Sequence, residues 1–194
     1  MSTPLFDLVV KQIKAQVTIP VIIFPGGVQQ ISSYADALLF MSVISGRNAD
    51  LLIGRHVMAA PIIKMMGLET IALAYMLIES GKVSSAEFMS NTRPIPRDKA
   101  DIAVAHALAA QYLGMKMIYL EAGSGAPLPV PNEMIASVCS MCQLPIVVGG
   151  GITTPEAARQ KVDAGASFIV TGSILEQNNL NGKMAEFARA IHKY

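Results

Sequence analysis

The stretch LPIVVGGGITTPEAARQKVDAGASFIVTGS, Leu144 to Ser173, reads as strand, glycine turn, helix, strand, glycine turn. Ile146–Val148 is a short β-branched apolar run, as expected for a strand buried on both faces of a parallel sheet. Gly149, Gly150 and Gly151 follow at once. Three missing Cβ atoms let bare backbone approach another group and permit positive φ. Thr154 suits an N-cap, and Pro155 suits the first helical position, where its missing N–H costs nothing. The helix is expected to run to about Ala164 and to stop at Gly165. Phe168–Thr171 then forms a strand that ends in Gly172-Ser173. Two successive βα turns of bare backbone, at the carboxyl ends of parallel strands, form the phosphate grip of a (β/α)8 barrel. A lone glycine would mean only a tight turn; GGG and GS one βα unit apart point to phosphate.

The rest of the chain supports that fold class. Its 194 residues suffice for one domain with a real core, and 52% are hydrophobic against 15% charged. Such a balance suits an α/β protein with doubly covered strands, and allows for an apolar groove or an oligomer face. A net charge of +1 gives no electrostatic footprint for nucleic acid. Ala15–Ala35 and Met134–Pro155 are uncharged and long enough to span a membrane, but internal Pro, Gly and Gln argue against transmembrane helices. The N-terminus lacks a basic-then-apolar signal pattern, and a cytoplasmic location is expected. Cys139 and Cys142 form a CxxC at the closing end of a helix. A redox pair belongs at the opening end, and no second pair offers a zinc site. Both are expected to be core thiols.

In chain order, Pro4 to about Ala15 is an amphipathic helix with Leu5, Leu8, Val9 and Ile13 on one face. Strands are expected to begin at Thr18, Ala37, Ile71, Lys116, Pro145 and Ser167. Pro25-Gly26-Gly27 is a third glycine turn, and the dozen residues after it leave room for no more than a short turn of helix. Asn48 is placed as an N-cap. The helix after it is expected to turn Leu51, Leu52, Val57 and Met58 inward, and Pro61 to kink or restart it. Ser84–Lys99 is taken as irregular, with Arg93, Arg97 and Lys99 either solvated or gripping an anion as a lid. His56, His106 and His192 carry no metal-site spacing.

Tyr119-Leu120-Glu121-Ala122-Gly123-Ser124-Gly125 ends the fourth strand. A carboxylate there, followed by Gly-Ser-Gly, lies where catalytic groups lie in this architecture. Glu121 is therefore the candidate general base or hydroxyl-orienting group. The fold expected is α/β, of the TIM (β/α)8-barrel type, reduced to six parallel strands within a single domain over residues 1–194.

FPGGVQQIS (Phe24–Ser32), SGRN (Ser45–Asn48), AAPIIK (Ala59–Lys64), GLETI (Gly67–Ile71), YMLI (Tyr75–Ile78), SNTRPIPRDK (Ser90–Lys99), YLEAGSGA (Tyr119–Ala126), PIVVGGGI (Pro145–Ile152) and VTGS (Val170–Ser173) carry a resemblance. With these motifs the chain resembles the geranylgeranylglyceryl phosphate synthase family of barrel prenyltransferases, and looks most like its group II branch. The resemblance implies ether formation between sn-glycerol 1-phosphate and a long prenyl (geranylgeranyl) diphosphate, with Mg²⁺. It implies that Tyr119, Leu120, Glu121, Ala122, Gly123, Ser124, Gly125, Gly150, Gly151, Gly172 and Ser173 bind the glycerol phosphate. Glu121 would take or orient the proton of the attacking hydroxyl, and Tyr75, if turned inward, would face the allylic carbon. Two departures stand out. The family ends its last motif Gly-Asn, where this chain has Gly172-Ser173. The helix Pro4–Ala15 matches the family's second helix, so the family's first βα unit and second strand find no counterpart. Those strands carry the Mg²⁺-binding aspartate, and no residue here inherits that role. Unclosed edges beside Ile22 and Ile169 lead to the expectation of a homo-oligomer.

Three functions compete at this level. The first is the prenyltransferase. The second is a catalytically impaired barrel remnant that binds a phosphorylated ligand or serves in assembly. The third is another phosphate-handling barrel enzyme, such as an isomerase, for which Asp36 is the nearest second acid–base residue, though it precedes its strand.

Overall fold

The computed structural model describes residues 3–172, 174 and 182–192. Ser173 of the expected site lies outside them. Among the described residues six strands follow one another in the sheet in chain order. The chain forms two compact units, Met1–Ser42 with Asn48–Leu73, and Val43–Arg47 with Ala74–Tyr194.

In the first unit, α1 (Thr3–Lys14) buries Val10 and carries Lys11 and Lys14 in its last turn, at the negative end of its dipole. Strand β1 is only Ile22–Ile23, shorter than the expected strand from Thr18. Pro20 has no N–H to give a ladder, and pairing begins where Asp36 N–H meets the Val21 carbonyl at 2.9 Å. It runs parallel to β2 (Ala37–Val43), with Ile22 opposite Ala37. Only turns join them. The Asp36 carboxylate accepts from Lys14 Nζ at 2.8 Å and from Val21 N–H at 2.6 Å. Those two partners occupy the group that the isomerase reading needed.

Asn48 opens the next helix as expected: its Oδ1 accepts the Asp50 N–H at 3.1 Å, and its carbonyl accepts from Leu51 and Leu52. A π-helical turn, Asp50–Gly54, leads into α2 (Arg55–Met66). The inward face is not the expected one. Val57 and Met58 are exposed, and Ala59 and Ile63 are buried. A π turn holds more residues than an α turn, so it rotates every later residue away from the phase extrapolated from Leu51 and Leu52. Pro61 neither ends nor restarts α2, which runs on to Gly67 at φ 64°. Ile23, Ile31, Leu38, Ala59 and Ile63 form this unit's core.

Strand β3 (Glu69–Leu77) leads into the second unit. There follow α3 (Ser85–Ser90), α4 (Ala100–Tyr112), β4 (Met117–Glu121), α5 (Asn132–Met141), β5 (Ile146–Gly149), α6 (Pro155–Asp163), β6 (Phe168–Val170) and α7 (Lys183–Ile191). Helix α3 was not expected in the Ser84–Lys99 stretch. Ser84 Oγ accepts the Glu87 N–H at 3.1 Å, and Asn91 closes the helix at φ 49°. β4 and β5 pair in parallel with Glu121 opposite Gly149, and β5 pairs with β6 in the same sense. Alternate residues divide the sheet's faces. Ala74, Met76, Ile118, Leu120, Ile146 and Val148 join one core with the α4 alanines Ala103, Ala107 and Ala110 and with Ile135 and Val138 of α5. Tyr75, Tyr119, Glu121 and Gly149 take the opposite face. On β6, Phe168 and Val170 are exposed. Of the expected core thiols only Cys142 is buried. Cys139, within α5, is exposed, while Cys142 follows the helix end in extended backbone that turns it inward. No described helix is long and apolar enough to cross a membrane.

Candidate active site

Glu121 ends β4, only 7% exposed. Its Oε1 accepts the Gly123 N–H at 2.6 Å, and the Tyr119 hydroxyl donates to the same carboxylate. Burial pushes the carboxyl above the usual carboxylate range, against the pull of these two donors. Burial and the neighbouring Glu121 charge also push the Tyr119 and Tyr75 hydroxyls up, so both stay protonated. The Tyr75 and Tyr119 rings meet edge to face at 5.3 Å between centroids. Two tyrosines thus flank one buried carboxylate.

The glycine triplet is where the neighbouring strand meets this cluster. A Cβ on Gly149 would fall on the Tyr119 hydroxyl. One on Gly150 (φ 85°) would lie 2.6 Å from Gly123 N and 2.8 Å from Glu121 Oε1. One on Gly151 would lie 2.9 Å from the Ala126 carbonyl. Gly123 in turn has Ser84, the N-cap of α3, where its own Cβ would be, at 2.7 Å. The bare Cα atoms of Gly123, Gly149, Gly150 and Gly151 are therefore each matched to a group on a neighbouring strand or loop, whereas nothing lies within 4 Å of a Cβ on Gly125. Ser84 is a site residue that the sequence signals only through the capping-box pattern Ser84-x-x-Glu87.

Of the residues singled out beforehand, Tyr119, Glu121, Gly123 and Gly150 come together. Ser124 and Gly125 sit exposed on the turn, and no atom of the described residues lies within 4 Å of a Cβ built on Gly172. Leu120 and Ala122 turn their side chains into the helix-side core, leaving only backbone to the site. Helix α6 begins just after the triplet, with Thr154 Oγ1 accepting the Ala157 N–H at 3.1 Å; an anion is favoured near such an N-terminus. Of the cations in Ser84–Lys99, Arg97 gives its guanidinium to the Glu79 and Leu128 carbonyls, while Arg93 and Lys99 are exposed. His106 bonds the Ile102 carbonyl of its own helix. Among the described residues, no three or more His, Cys, Asp or Glu side chains group as metal ligands.

A parallel α/β sheet with its polar groups at the carboxyl ends of β4 and β5 defines a protein of the TIM-barrel type. More narrowly, the chain belongs to the PcrB family, whose model matches residues 4–191. It is 48% identical over 186 residues to a geranylgeranylglyceryl phosphate synthase of Chitinophaga pinensis, covering 96% of this chain and 73% of that one. It is 44% identical to the synthase of the same name from Methanosphaera stadtmanae, covering 96% and 76%. The crystal structure of (S)-3-O-geranylgeranylglyceryl phosphate synthase from Thermoplasma acidophilum, in complex with sn-glycerol-1-phosphate, superposes with a TM-score of 0.93 at 37% identity, covering 98% and 77%.

Proposed function

We propose that this chain is a prenyltransferase that joins sn-glycerol 1-phosphate to a long-chain prenyl diphosphate, geranylgeranyl diphosphate by resemblance, to give a prenylglyceryl phosphate ether. The observation that carries it is Glu121: a buried carboxylate at a strand end, with raised proton affinity, in a chain whose relatives bear the synthase name. The Thermoplasma acidophilum relative's complex with sn-glycerol-1-phosphate supports that substrate. Phosphate would be met by the Gly150–Gly151 turn, the start of α6, Ser124 and the Gly172-Ser173 pair. In the reaction the glycerol hydroxyl oxygen forms a bond to the allylic carbon. The carbon–oxygen bond to diphosphate breaks with its electron pair leaving on diphosphate, and the hydroxyl proton passes to Glu121. Holding the two reactants together and placing fixed charge near the developing cation supply most of the acceleration. Tyr75 backs Tyr119 here.

For Mg²⁺, which the resemblance implies, the described residues offer no group of three or more His, Cys, Asp or Glu side chains as ligands. Cytoplasmic location remains part of the proposal, as does homo-association, which the exposed residues of β1 and β6 support: Ile22 is 46% and Phe168 53% exposed. Light scattering behind a sizing column tests it, and a monomer at high concentration refutes it. The activity is tested by mass spectrometry of a mixture of protein, sn-glycerol 1-phosphate, geranylgeranyl diphosphate and Mg²⁺. Prenyl ether from the native chain and none from Glu121→Gln is the expected result. Absence of product alongside saturable glycerol phosphate binding would favour a binding remnant instead.

A further inference from the structure

Lys161 does not fit the amphipathic pattern of α6. It sits on the buried face beside Ala158, with 5% of its surface exposed. No described carboxylate pairs with it: the ion pairs found join Lys14–Asp36, Arg55–Asp50 and Arg159–Asp163. A buried ammonium without a counter-ion is costly, and burial, with Arg97 nearby, lowers its proton affinity. Something must hold it there. Its Nζ donates to the Val130 carbonyl at 2.7 Å and to Asn132 Oδ1 at 2.6 Å.

Those acceptors belong to the Pro127-Leu128-Pro129-Val130-Pro131 segment and the first residue of α5. Three prolines deprive the segment of N–H groups, so it cannot secure itself in a ladder. Its carbonyls are taken by cations instead: Val130 by Lys161, Leu128 by Arg97 at 3.4 Å. The same segment also abuts the glycine triplet, where a Cβ on Gly151 would lie 3.0 Å from Pro129 N.

We propose that Lys161 is a positioning residue for the Gly150–Gly151 turn, holding through the Val130 carbonyl the proline-rich segment on which that turn rests. Its ligand-side consequence rests on the reading of the turn as part of the glycerol phosphate site. The side chain touches no reacting atom.

Two measurements on the full chain separate the inferences. The first is amide hydrogen exchange without ligand. Lys161→Met keeps the side-chain length and removes the donor. It should speed exchange at Gly123, Leu128 and Gly150–Ile152 at least tenfold, while the α4 amides Ala103–Ala110 stay within twofold. Unchanged exchange at the turn overturns the proposal whatever the binding result. The second is calorimetric titration with sn-glycerol 1-phosphate, together with kinetics. Lys161→Met should raise Kd, and KM for this substrate, at least tenfold, with kcat within threefold. Equal Kd with a lowered Tm would show a purely structural lysine and overturn it. If the native chain itself fails to bind, the functional reading fails, and the exchange data still decide the role of Lys161 in holding the turn. If Lys161→Met does not fold, Asn132→Ala removes one of the two acceptors. It should raise both exchange at Gly150–Ile152 and Kd about threefold, and no change in either overturns the proposal.

Discussion

Gly150→Ala tests whether the two glycine motifs form one packed unit. At φ 85°, an L-residue in this left-handed region costs about 1–2 kcal/mol. The added methyl would also lie 2.6 and 2.7 Å from Gly123 N and O, and 2.8 Å from Glu121 Oε1. Two of these atoms are backbone, in a turn itself held at φ 102°. Relief therefore needs the turns to part or Glu121 to leave the Gly123 N–H. Loss of that charge-assisted bond adds about 1.5–3 kcal/mol. The expected destabilisation is about 3–5 kcal/mol, which for a chain of this size lowers Tm by about 6–20 °C. Gly114→Ala is the control. Its φ is 78°, but nothing lies within 4 Å of the added Cβ, so it should lose only about 2–8 °C. Scanning calorimetry of both variants gives the comparison, and titration with sn-glycerol 1-phosphate shows whether the site went with the turn. Equal Tm losses in the two variants, with Gly150→Ala still binding normally, would refute the reasoning.

The remaining predictions concern charge. Because Glu121 binds its proton more tightly folded than unfolded, its ionisation weakens the fold as pH rises from about 4.5 through the raised native value. Glu121→Gln should therefore gain stability on the native protein across that window in urea unfolding, while its prenyl transfer falls by about 10²–10⁴. A stability difference that stays constant with pH refutes the assignment. In the native enzyme, kcat/KM should rise with pH along an acid limb lying above the ordinary carboxylate range. Tyr119→Phe removes a donor that holds the carboxyl down, so that limb should move to still higher pH; an unmoved limb contradicts the bond to Glu121. Asp36 has the opposite sign. Its hydrogen bonds from Lys14 and Val21 hold it below the usual range, so its contribution is present above about pH 3.8 and is lost as pH falls through the lowered native value. Asp36→Asn should be the less stable protein at pH 7, with the gap closing in acid unfolding measurements.

What could be read from sequence followed rules that act over a few residues. Thr154-Pro155 starts α6, Asn48 caps its helix, and Glu121 ends β4 just before the Gly-Ser-Gly turn. The misses have physical causes of their own. The inward face of α2 depended on a π turn that no residue pattern announces, and so Val57 and Met58 came out exposed. β1 was cut short by Pro20, whose missing N–H carried more weight than the β-branched run around it. Helix α3 did carry a signal, Ser84 with Glu87 three residues on, but the prolines and cations downstream masked it. Lys161 was invisible for another reason. Its role comes from a carbonyl 31 residues away, and helical periodicity would place an apolar residue at that position.

The glycine triplet shows how a correct motif can hold more than one cause. From the sequence, bare backbone after β5 reads as room for phosphate. In the fold, each missing Cβ first makes room for the protein: the Tyr119 hydroxyl at Gly149, the Gly123 backbone and Glu121 at Gly150, the Ala126 carbonyl at Gly151. That explains why YLEAGSGA and VGGGI occur together in the chain. Glu121 opposes Gly149 in the β4–β5 register, so the two motifs sit side by side. Any side chain on β5 at these positions would push Tyr119 or the Gly123 turn away and let water reach the carboxylate. Water would restore an ordinary pKa, and with it a weaker base at neutral pH. In the proposed reaction the triplet would therefore act on proton transfer through packing, separately from any contact of its N–H groups with phosphate. Substitutions along it should damage the pH profile as well as substrate affinity.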